Sequence, residues 1–267
     1  MNLSAIKLGA DPELFITDSF AGEYVSSIGL IGGTKDAPRP LPRDGFYVQE
    51  DNVLLEFNIP PCETKDAFIE ALKYGMRASR ELLPEFYGVR VQASAFFTEG
   101  QLQRPEANLF GCDPDNNAWT DEPNPVPEPP QNGMRTAGGH IHIGYENPKR
   151  ILSLYLVRAM DKYLGIPSII MDKDNQRRRL YGKAGSYREK GYGVEYRTLS
   201  SFWLMSDKLM GWAWDQTMRA IEHINALEDP DHDPVSADQK IIVDTINNGD
   251  VKVAKELVEK YNLALVA

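Results

Sequence analysis

The stretch Gly-His-Ile-His-Ile-Gly-Tyr at residues 139–145 alternates polar and nonpolar side chains. In a β-strand, residues i and i+2 point to the same face of the sheet. The pattern therefore predicts a strand with His140 and His142 on one face and two isoleucines on the other. Imidazoles flanked by glycines and isoleucines are an unusual way to build a solvent-exposed face. This strand is accordingly the first candidate for a functional site.

Three further strand-like segments carry polar residues two positions apart. Their polar residues are Asp11 and Glu13; Asn52, Glu56 and Asn58; and Glu195 and Arg197. One such pair is typical of any strand with a solvent-exposed face. Four pairs together, three of them containing Glu, instead predict one concave sheet surface that binds a divalent cation. Carboxylate oxygens with one imidazole nitrogen suit Mg²⁺ or Mn²⁺.

Strand-like and helix-like segments follow one another without a regular βαβ alternation. We predict a strand broken at Pro12, further strands near 46–59, 89–97, 139–145 and 191–203, and helices over 65–83, 148–164 and 207–227. This order favours an α+β fold with an antiparallel sheet over a doubly wound parallel sheet.

The chain is predicted to divide after the second long helix of its C-terminal half. Residues 1–228 form the larger part, and the loop 228–234, rich in Asp and Pro, follows it. Beyond the loop, Ser236 and either Asn248 or Asp250 are in positions to cap two short helices. Residues 229–267 are therefore predicted to form a helical C-terminal extension.

Composition limits the function classes. The 267 residues are 42% hydrophobic and 25% charged, which is ordinary for a globular protein and excludes collagen-like or wholly disordered chains. The net charge of −10 argues against general nucleic-acid or membrane-surface binding. We find neither a membrane-spanning stretch nor a secretory signal and expect a cytoplasmic protein. Cys62 and Cys112 are too few for a disulfide framework.

A basic segment interrupts this acidic chain. Residues 173–190 contain seven Lys or Arg residues against two acidic ones, a net charge of +5. Arginine forks match phosphate oxygens bidentately, and Gly182 and Gly185 allow the backbone to approach a ligand closely. A solvated basic loop is the alternative, but we favour polyphosphate binding. The chain has no GxxxxGK[ST] motif, so this is not a P-loop.

In order and spacing, these residues resemble the COOH–NH₂ ligase type 2 (amidoligase) family of the glutamine synthetase/glutamate–cysteine ligase-like superfamily, often carried by phages. The matching segments are Gly9-Ala-Asp-Pro-Glu13, Gly32-Gly-Thr-Lys35, Gln49-Glu-Asp-Asn-Val-Leu-Leu-Glu56-Phe-Asn58, Gly111-Cys-Asp-Pro-Asp115, Thr136-Ala-Gly-Gly-His140-Ile-His142-Ile-Gly144, Tyr181-Gly-Lys-Ala-Gly-Ser-Tyr-Arg188 and Glu195-Tyr-Arg197. Where such ligases have Glu-x-Glu on the first strand, this chain has Asp11-Pro-Glu13, which leaves the role of Asp11 open.

The resemblance implies a glutamine-synthetase-like antiparallel sheet with flanking helices that binds ATP and Mg²⁺ or Mn²⁺. The implied metal ligands are Glu13, Glu56, His140 and Glu195. The implied catalytic residues are Glu56, Arg188, Glu195 and Arg197. The residues expected at the cofactor are Lys35, His140, His142, Arg179, Lys183, Arg188 and Arg197.

The implied reaction is an ATP- and Mg²⁺-dependent ligation of a carboxylate to an amine through an acyl phosphate. Its substrates are small molecules or peptides, and its compartment is the host cytoplasm if a phage encodes it. Three alternatives stay open: a guanidino or amino kinase on the same fold, a non-catalytic binding protein that keeps the pocket, and a metal hydrolase using His140 and His142. The hydrolase lacks a convincing third nitrogen ligand.

Overall fold

The computed structural model describes residues 3–109, 115–228 and 233–266. The strands are β1 (Lys7–Ala10), β2 (Glu13–Asp18), β3 (Tyr24–Val25), β4 (Arg39–Pro40), β5 (Tyr47–Asp51), β6 (Leu54–Asn58), β7 (Tyr87–Arg90), β8 (Ser94–Phe96), β9 (Asn116–Asn117), β10 (Glu122–Pro123), β11 (Met134–Thr136), β12 (Ile141–Gly144), β13 (Ser186–Lys190) and β14 (Gly193–Tyr196). The helices are α1 (Lys65–Glu81), α2 (Arg150–Met160), α3 (Ile166–Met171), α4 (Asp207–Ala226), α5 (Pro234–Ala237), α6 (Gln239–Asn248) and α7 (Val251–Tyr261).

The strands form two main antiparallel sheets. The first has the order β1-β12-β14-β13-β9-β10, and the second has the order β3-β2-β6-β5-β4 with β7 paired to β2. Pro12 separates β1 from β2, as predicted, and the two strands belong to different sheets. A proline lacks the N–H that a continuous sheet ladder needs. The fold is therefore mixed α and β with antiparallel sheets, while its glutamine-synthetase-like character stays a prediction.

Strand register places the predicted site residues opposite one another. In the first sheet, His142 lies opposite Glu195, and Glu195 lies opposite Arg188. In the second sheet, Glu56 lies between Glu13 on one side and Gln49 on the other. Each sheet thus carries a row of polar side chains that runs across its strands.

The helices cover the sheets with a shared nonpolar core. Helix α1 begins after Thr64, whose side-chain oxygen accepts a hydrogen bond from the Ala67 N–H at 3.3 Å. Its Phe68 is fully buried and stacks on Trp203, with ring centroids 6.0 Å apart and planes 10° apart. Burying large aromatic side chains of this kind stabilises a domain by about 1.5–3 kcal/mol each.

The C-terminal helices pack on the rest of the chain through their own cluster. Ile242, Ile246 and Leu257 are buried against Ile166 and Ile169 of α3. Asp250 caps α7 by accepting hydrogen bonds from two N–H groups of its first turn, at 3.0 and 3.1 Å. Asp250 is thus one of the predicted caps, and the domain boundary at residue 228 stays a prediction.

The predicted strand over residues 46–59 is in fact the β5–β6 hairpin. Asn52 lies in its turn with a φ of 54°, so it does not share a strand face with Glu56 and Asn58, and that prediction was wrong. The predicted helix over 148–164 continues through a wider turn at residues 161–165 into α3. None of the helices in the described ranges is long and apolar enough to cross a bilayer.

Candidate active site

A cavity of about 860 Å³ is lined by strands of both sheets. Cavities of roughly 300–1,000 Å³ are typical of small-molecule and cofactor sites. One part of its wall is acidic and another is basic. The predicted residues that line it are Glu13, Lys35, Glu56, His140, His142, Arg188 and Arg197.

The first acidic cluster consists of Asp11, His140 and Glu195, with ligand atoms within 4.8 Å of one another. The Nδ1 atom of His140 lies 3.2 Å from Asp11 Oδ1 and 3.5 Å from Glu195 Oε1. Burial and the neighbouring Arg197 lower the pKa of His140 to about 4. Its imidazole is therefore neutral near pH 7, and its Nδ1 also lies 3.3 Å from a guanidinium nitrogen of Arg197, so a metal bound at this atom would replace that contact.

The second acidic cluster consists of Glu13, Asp51 and Glu56, again with ligand atoms within 4.8 Å of one another. The backbone N–H of Gly138 donates to Glu13 Oε2 at 2.5 Å, and the Gln49 amide donates to Glu56 Oε1 at 3.0 Å. In the described parts of the chain, no Lys, Arg or His nitrogen lies within 4 Å of these three carboxylates.

Uncompensated charge perturbs this second cluster. Burial, together with the charge of Asp51, raises the pKa of Glu13 to about 7 despite the Gly138 hydrogen bond. Burial and the nearby carboxylates of Asp11 and Asp51 raise the pKa of Glu56 well above its ordinary value. Carboxylates crowded in this way hold protons at neutral pH unless a cation neutralises them.

The donor set of both clusters fits a hard divalent cation. It offers five carboxylates and one neutral imidazole, and Mg²⁺ and Mn²⁺ prefer oxygen ligands of this kind. The lack of a cationic partner for Glu13, Asp51 and Glu56 among the described residues is the observation that favours a bound cation. The predicted metal ligands thus separate into two groups, with His140 and Glu195 in one and Glu13 and Glu56 in the other.

Glu195 lies in the opposite electrostatic environment. Burial and Asp11 disfavour its charge, but Arg197, His140 and His142 outweigh them and hold its pKa at about 2. Its carboxylate contacts the Arg197 guanidinium and lies 2.8 Å from the Lys190 ammonium. Glu195 therefore links the first acidic cluster to the basic wall of the cavity.

The basic wall is suited to bind phosphate oxygens. Its cationic residues are Lys35, Arg135, Arg177, Arg188, Lys190 and Arg197. Glu50 holds the loop that carries Lys35, because its Oε1 accepts backbone hydrogen bonds from Gly29, Ile31 and Gly32 at 2.8–3.1 Å. Positively charged forks and ammonium groups together match the charge of a polyphosphate.

The three consecutive arginines diverge. Arg177 is buried at the cavity and donates to the carbonyls of Thr198 and Arg197 at 3.1 and 3.3 Å. Arg178 is buried against Ser168, at 2.9 Å, and Arg179 is exposed. Arg179 and Lys183 line a separate cleft beside α6, so the structure does not bring these two predicted cofactor residues to the cavity.

Two glycines before β12, Gly138 and Gly139, allow the chain around His140 to pack closely against its neighbours. A Cβ on Gly138 would lie 2.3 Å from His140 Nε2, and a Cβ on Gly139 would lie 2.5 Å from the Ser200 carbonyl. Trp203 also donates its indole N–H to the Gly139 carbonyl at 3.1 Å. The Gly-Gly pair is therefore required by close packing around the imidazole.

Sequence reasoning missed part of the site. Asp51 was not identified as a ligand, although it stands two positions after Gln49 and so shares its strand face. The sequence leaves the role of Asp11 open and identifies Arg177 and Lys190 only as members of the basic segment. The matching segment 111–115 lies outside the described residues except for Asp115, whose Oδ1 is 4.0 Å from Arg197 Nε.

Two clusters of candidate metal ligands thus lie at one cavity, which six cationic side chains also line. Residues 130–240 match the family model described as phage phiEco32-like COOH.NH₂ ligase-type 2, which confirms the resemblance over this segment. The matched part contains His140, His142, Arg188, Glu195 and Arg197. This segment is therefore similar to carboxylate–amine ligases of that family.

Among solved structures, a bifunctional glutathione synthetase from Pasteurella multocida is similar to this chain over 96% of its length, with 11% sequence identity. The TM-score is 0.42, which is too low to establish a common fold. This chain spans about half of that protein, 49% of its length. No curated protein matches the chain.

Proposed function

We propose that the protein is an ATP- and Mg²⁺-dependent carboxylate–amine ligase that forms an amide through an acyl phosphate. The observation that carries the proposal is the second acidic cluster. The buried Glu13 and Glu56 lie together with the exposed Asp51, and no described Lys, Arg or His nitrogen lies within 4 Å of these carboxylates. Six cationic side chains line the same cavity. A nucleotide with bound Mg²⁺ supplies both the missing cations and the missing anions.

The metal ions would be held by the two clusters: Asp11, His140 and Glu195 in one, and Glu13, Asp51 and Glu56 in the other. Bound there, they supply charge neutralisation for a polyphosphate and orient its terminal phosphate. Strand register positions Glu195 in one cluster and Glu13 and Glu56 in the other, and Asp11 and His140 lie next to the ends of β1 and β12.

The cationic side chains at the cavity would bind the phosphate groups and neutralise their charge. Arg197 is fixed on Glu195, and Arg188 and Lys190 project from the neighbouring strand toward the same carboxylate, at 3.7 and 2.8 Å. They neutralise charge on the phosphate oxygens as the substrate carboxylate oxygen bonds to the γ-phosphorus and ADP leaves. The amine nitrogen then bonds to the acyl carbon, phosphate departs, and the nitrogen releases one proton.

A guanidino or amino kinase would share the same metal and arginine residues. The two functions differ in their products, because a kinase product keeps the phosphoryl group whereas a ligase releases inorganic phosphate. Electrostatics argues against a non-catalytic binding protein, because three crowded carboxylates raise the energy of the folded chain when nothing neutralises them.

Calorimetry with a non-hydrolysable ATP analogue tests the proposal without knowledge of the substrates. We expect binding that requires Mg²⁺ in the wild type and is lost in Glu195→Gln, while the exposed Glu256→Gln variant binds like the wild type. Equal binding with and without Mg²⁺ by folded protein would contradict the proposal. The second stage is mass spectrometry of cells that express the wild type or Glu195→Gln, in which a ligase yields an amide product only with the wild type.

A further inference from the structure

A second cavity of about 750 Å³ adjoins the first and has a different chemical character. Asn58 and His142 line both cavities, so they mark the boundary between them. Most of the second wall is carbon, contributed by the residues Ala10, Ile59, Pro61, Tyr145, Pro148 and Tyr192. A preformed nonpolar cavity of this volume takes a sizeable nonpolar group, because burying that group removes its surface from water.

The second cavity carries few charges. Among its described lining residues, Lys7 is the only lysine or arginine, and its ammonium is paired with Glu63 at 2.9 Å. Glu146 also lines the cavity, and no described lysine or arginine lies within ion-pair distance of it. A carboxylate group therefore meets a single described cation there, whereas six cationic side chains line the first cavity.

His142 is held in a fixed position at the boundary. Its Nε2 lies 3.0 Å from Asp11 Oδ2, and its Nδ1 is hydrogen-bonded to the Tyr192 hydroxyl. One side of the ring thus contacts the first acidic cluster, and the other side contacts a wall residue of the nonpolar cavity. A molecule in the second cavity that reaches this ring also reaches the acidic cluster.

We propose that the second cavity binds the amine substrate, and that this substrate is a primary amine with a large nonpolar group. The inference rests on the proposed function. The argument from charge is complementarity: the carboxylate and the phosphate belong beside the cations of the first cavity, whereas an ammonium group is attracted by Glu146, which lines the second cavity. The nonpolar group lies against Ile59 and Tyr192, and the nitrogen lies at the boundary beside Asn58. There the ammonium group first releases one proton to solvent, and the neutral amine then bonds to the acyl carbon as phosphate leaves and the nitrogen releases its second proton.

Binding of three matched probes, measured by calorimetry without ATP or Mg²⁺, tests the inference. The probes are 4-phenylbutylamine, 4-phenylbutanol and 4-phenylbutanoic acid, which share one nonpolar group and differ in the polar end. We expect the amine to bind at least about tenfold more tightly than the acid, with the alcohol between them.

Two variants place a large side chain at a glycine that lines the second cavity, and a third variant, at a glycine outside both cavities, serves as their control. A Cβ on Gly144 meets only ordinary contacts, the nearest being the Lys7 carbonyl at 3.6 Å, and a Cβ on Gly191 meets nothing within 4 Å. We expect Gly144→Leu and Gly191→Phe to weaken amine binding at least about tenfold. Gly100 is exposed, meets nothing within 4 Å and lies outside both cavities, so Gly100→Leu is expected to bind like the wild type.

Three results would overturn the inference: tighter binding of the acid, no binding of any probe by folded wild type, or unchanged amine binding in both cavity-filling variants. Thermal melts of each variant establish that the chain is folded. Failure of the proposed function is distinguishable, because it appears as loss of Mg²⁺-dependent nucleotide binding. That measurement uses neither the amine probes nor the glycine variants.

Discussion

Replacing Glu56 with Gln removes one negative charge from the second acidic cluster and keeps the shape of the side chain. The Gln49 amide, 3.0 Å from Glu56 Oε1, retains an acceptor because glutamine also has a carbonyl oxygen at this position. The ligand atoms of the cluster lie within 4.8 Å of one another. At that separation two unit charges repel by about 3.5 kcal/mol with an effective dielectric constant of about 20.

The pKa of Glu13 in the same cluster is shifted mainly by burial and secondly by the charge of Asp51. It is raised from 4.5 to about 7, which corresponds to about 3 kcal/mol at 1.36 kcal/mol per pKa unit. Because the folded state binds the proton more tightly than the unfolded chain, this group stabilises the fold below about pH 4.5. The contribution is lost as the pH rises through about 7, so the metal-free wild type is expected to lose stability over that interval.

We therefore expect metal-free Glu56→Gln to be more stable than the wild type at about pH 8, by about 1–3 kcal/mol, and to differ less at about pH 5. Mg²⁺ should reverse the order, since saturation at about 100 times the dissociation constant adds about 2.7 kcal/mol to a chain that binds the ion. Urea denaturation of the wild type and Glu56→Gln, with EDTA or with MgCl₂, measures the four free energies of unfolding at about pH 8. The comparison in EDTA is repeated at about pH 5.

The exposed Glu256→Gln variant controls for the change of net charge and is expected to stay within about 0.5 kcal/mol of the wild type. A Glu56→Gln variant that is less stable than the wild type in EDTA at about pH 8, with an unchanged dependence on urea, refutes the reasoning. Glu56 would then be a structural residue whose charge is already compensated in the folded chain.

Three further predictions concern single residues. Asp161 is fully buried and accepts four hydrogen bonds, so Asp161→Asn should lower the free energy of unfolding by about 2–4 kcal/mol in urea denaturation. Arg197→Lys loses the planar fork and should reduce the rate of phosphate release far more than the affinity for ATP, which steady-state kinetics would separate; Arg179→Ala is the matched control with unchanged rates. Gly138→Ala forces a methyl group against His140 and should weaken Mg²⁺ binding at least about tenfold in calorimetry.

The strand alternation allowed much of the site to be predicted. A period of two is fixed by backbone geometry, so residues such as His140 and His142 share a face whichever strands lie beside them. That is why the pairs on four segments pointed to a common surface, and why His140, His142 and Arg197 all line the cavity. Which carboxylates meet in one cluster depends on the register between strands that are distant in sequence. No local sequence pattern predicts that register.

The basic segment illustrates the opposite case. Its charge pointed to phosphate, but the direction of each arginine depends on a short turn of helix at residues 176–179. Successive side chains on such a turn point about 120° apart, so adjacent arginines cannot share a ligand. Arg177 reaches the cavity, Arg178 is buried against Ser168, and Arg179 remains exposed. Composition predicts that this segment contributes cations to a binding site. Which of its arginines reach the cavity is determined by the fold.

The Asp11-Pro-Glu13 segment connects the two acidic clusters. Asp11 and Glu13 both line the cavity, yet Asp11 belongs to the cluster with His140, and Glu13 belongs to the cluster with Glu56. The chain passes from one sheet to the other between them, because Pro12 interrupts the strand there. Two residues of one short segment thereby supply one ligand to each cluster. A polyphosphate that reaches both clusters would therefore bind across the place where the two sheets meet.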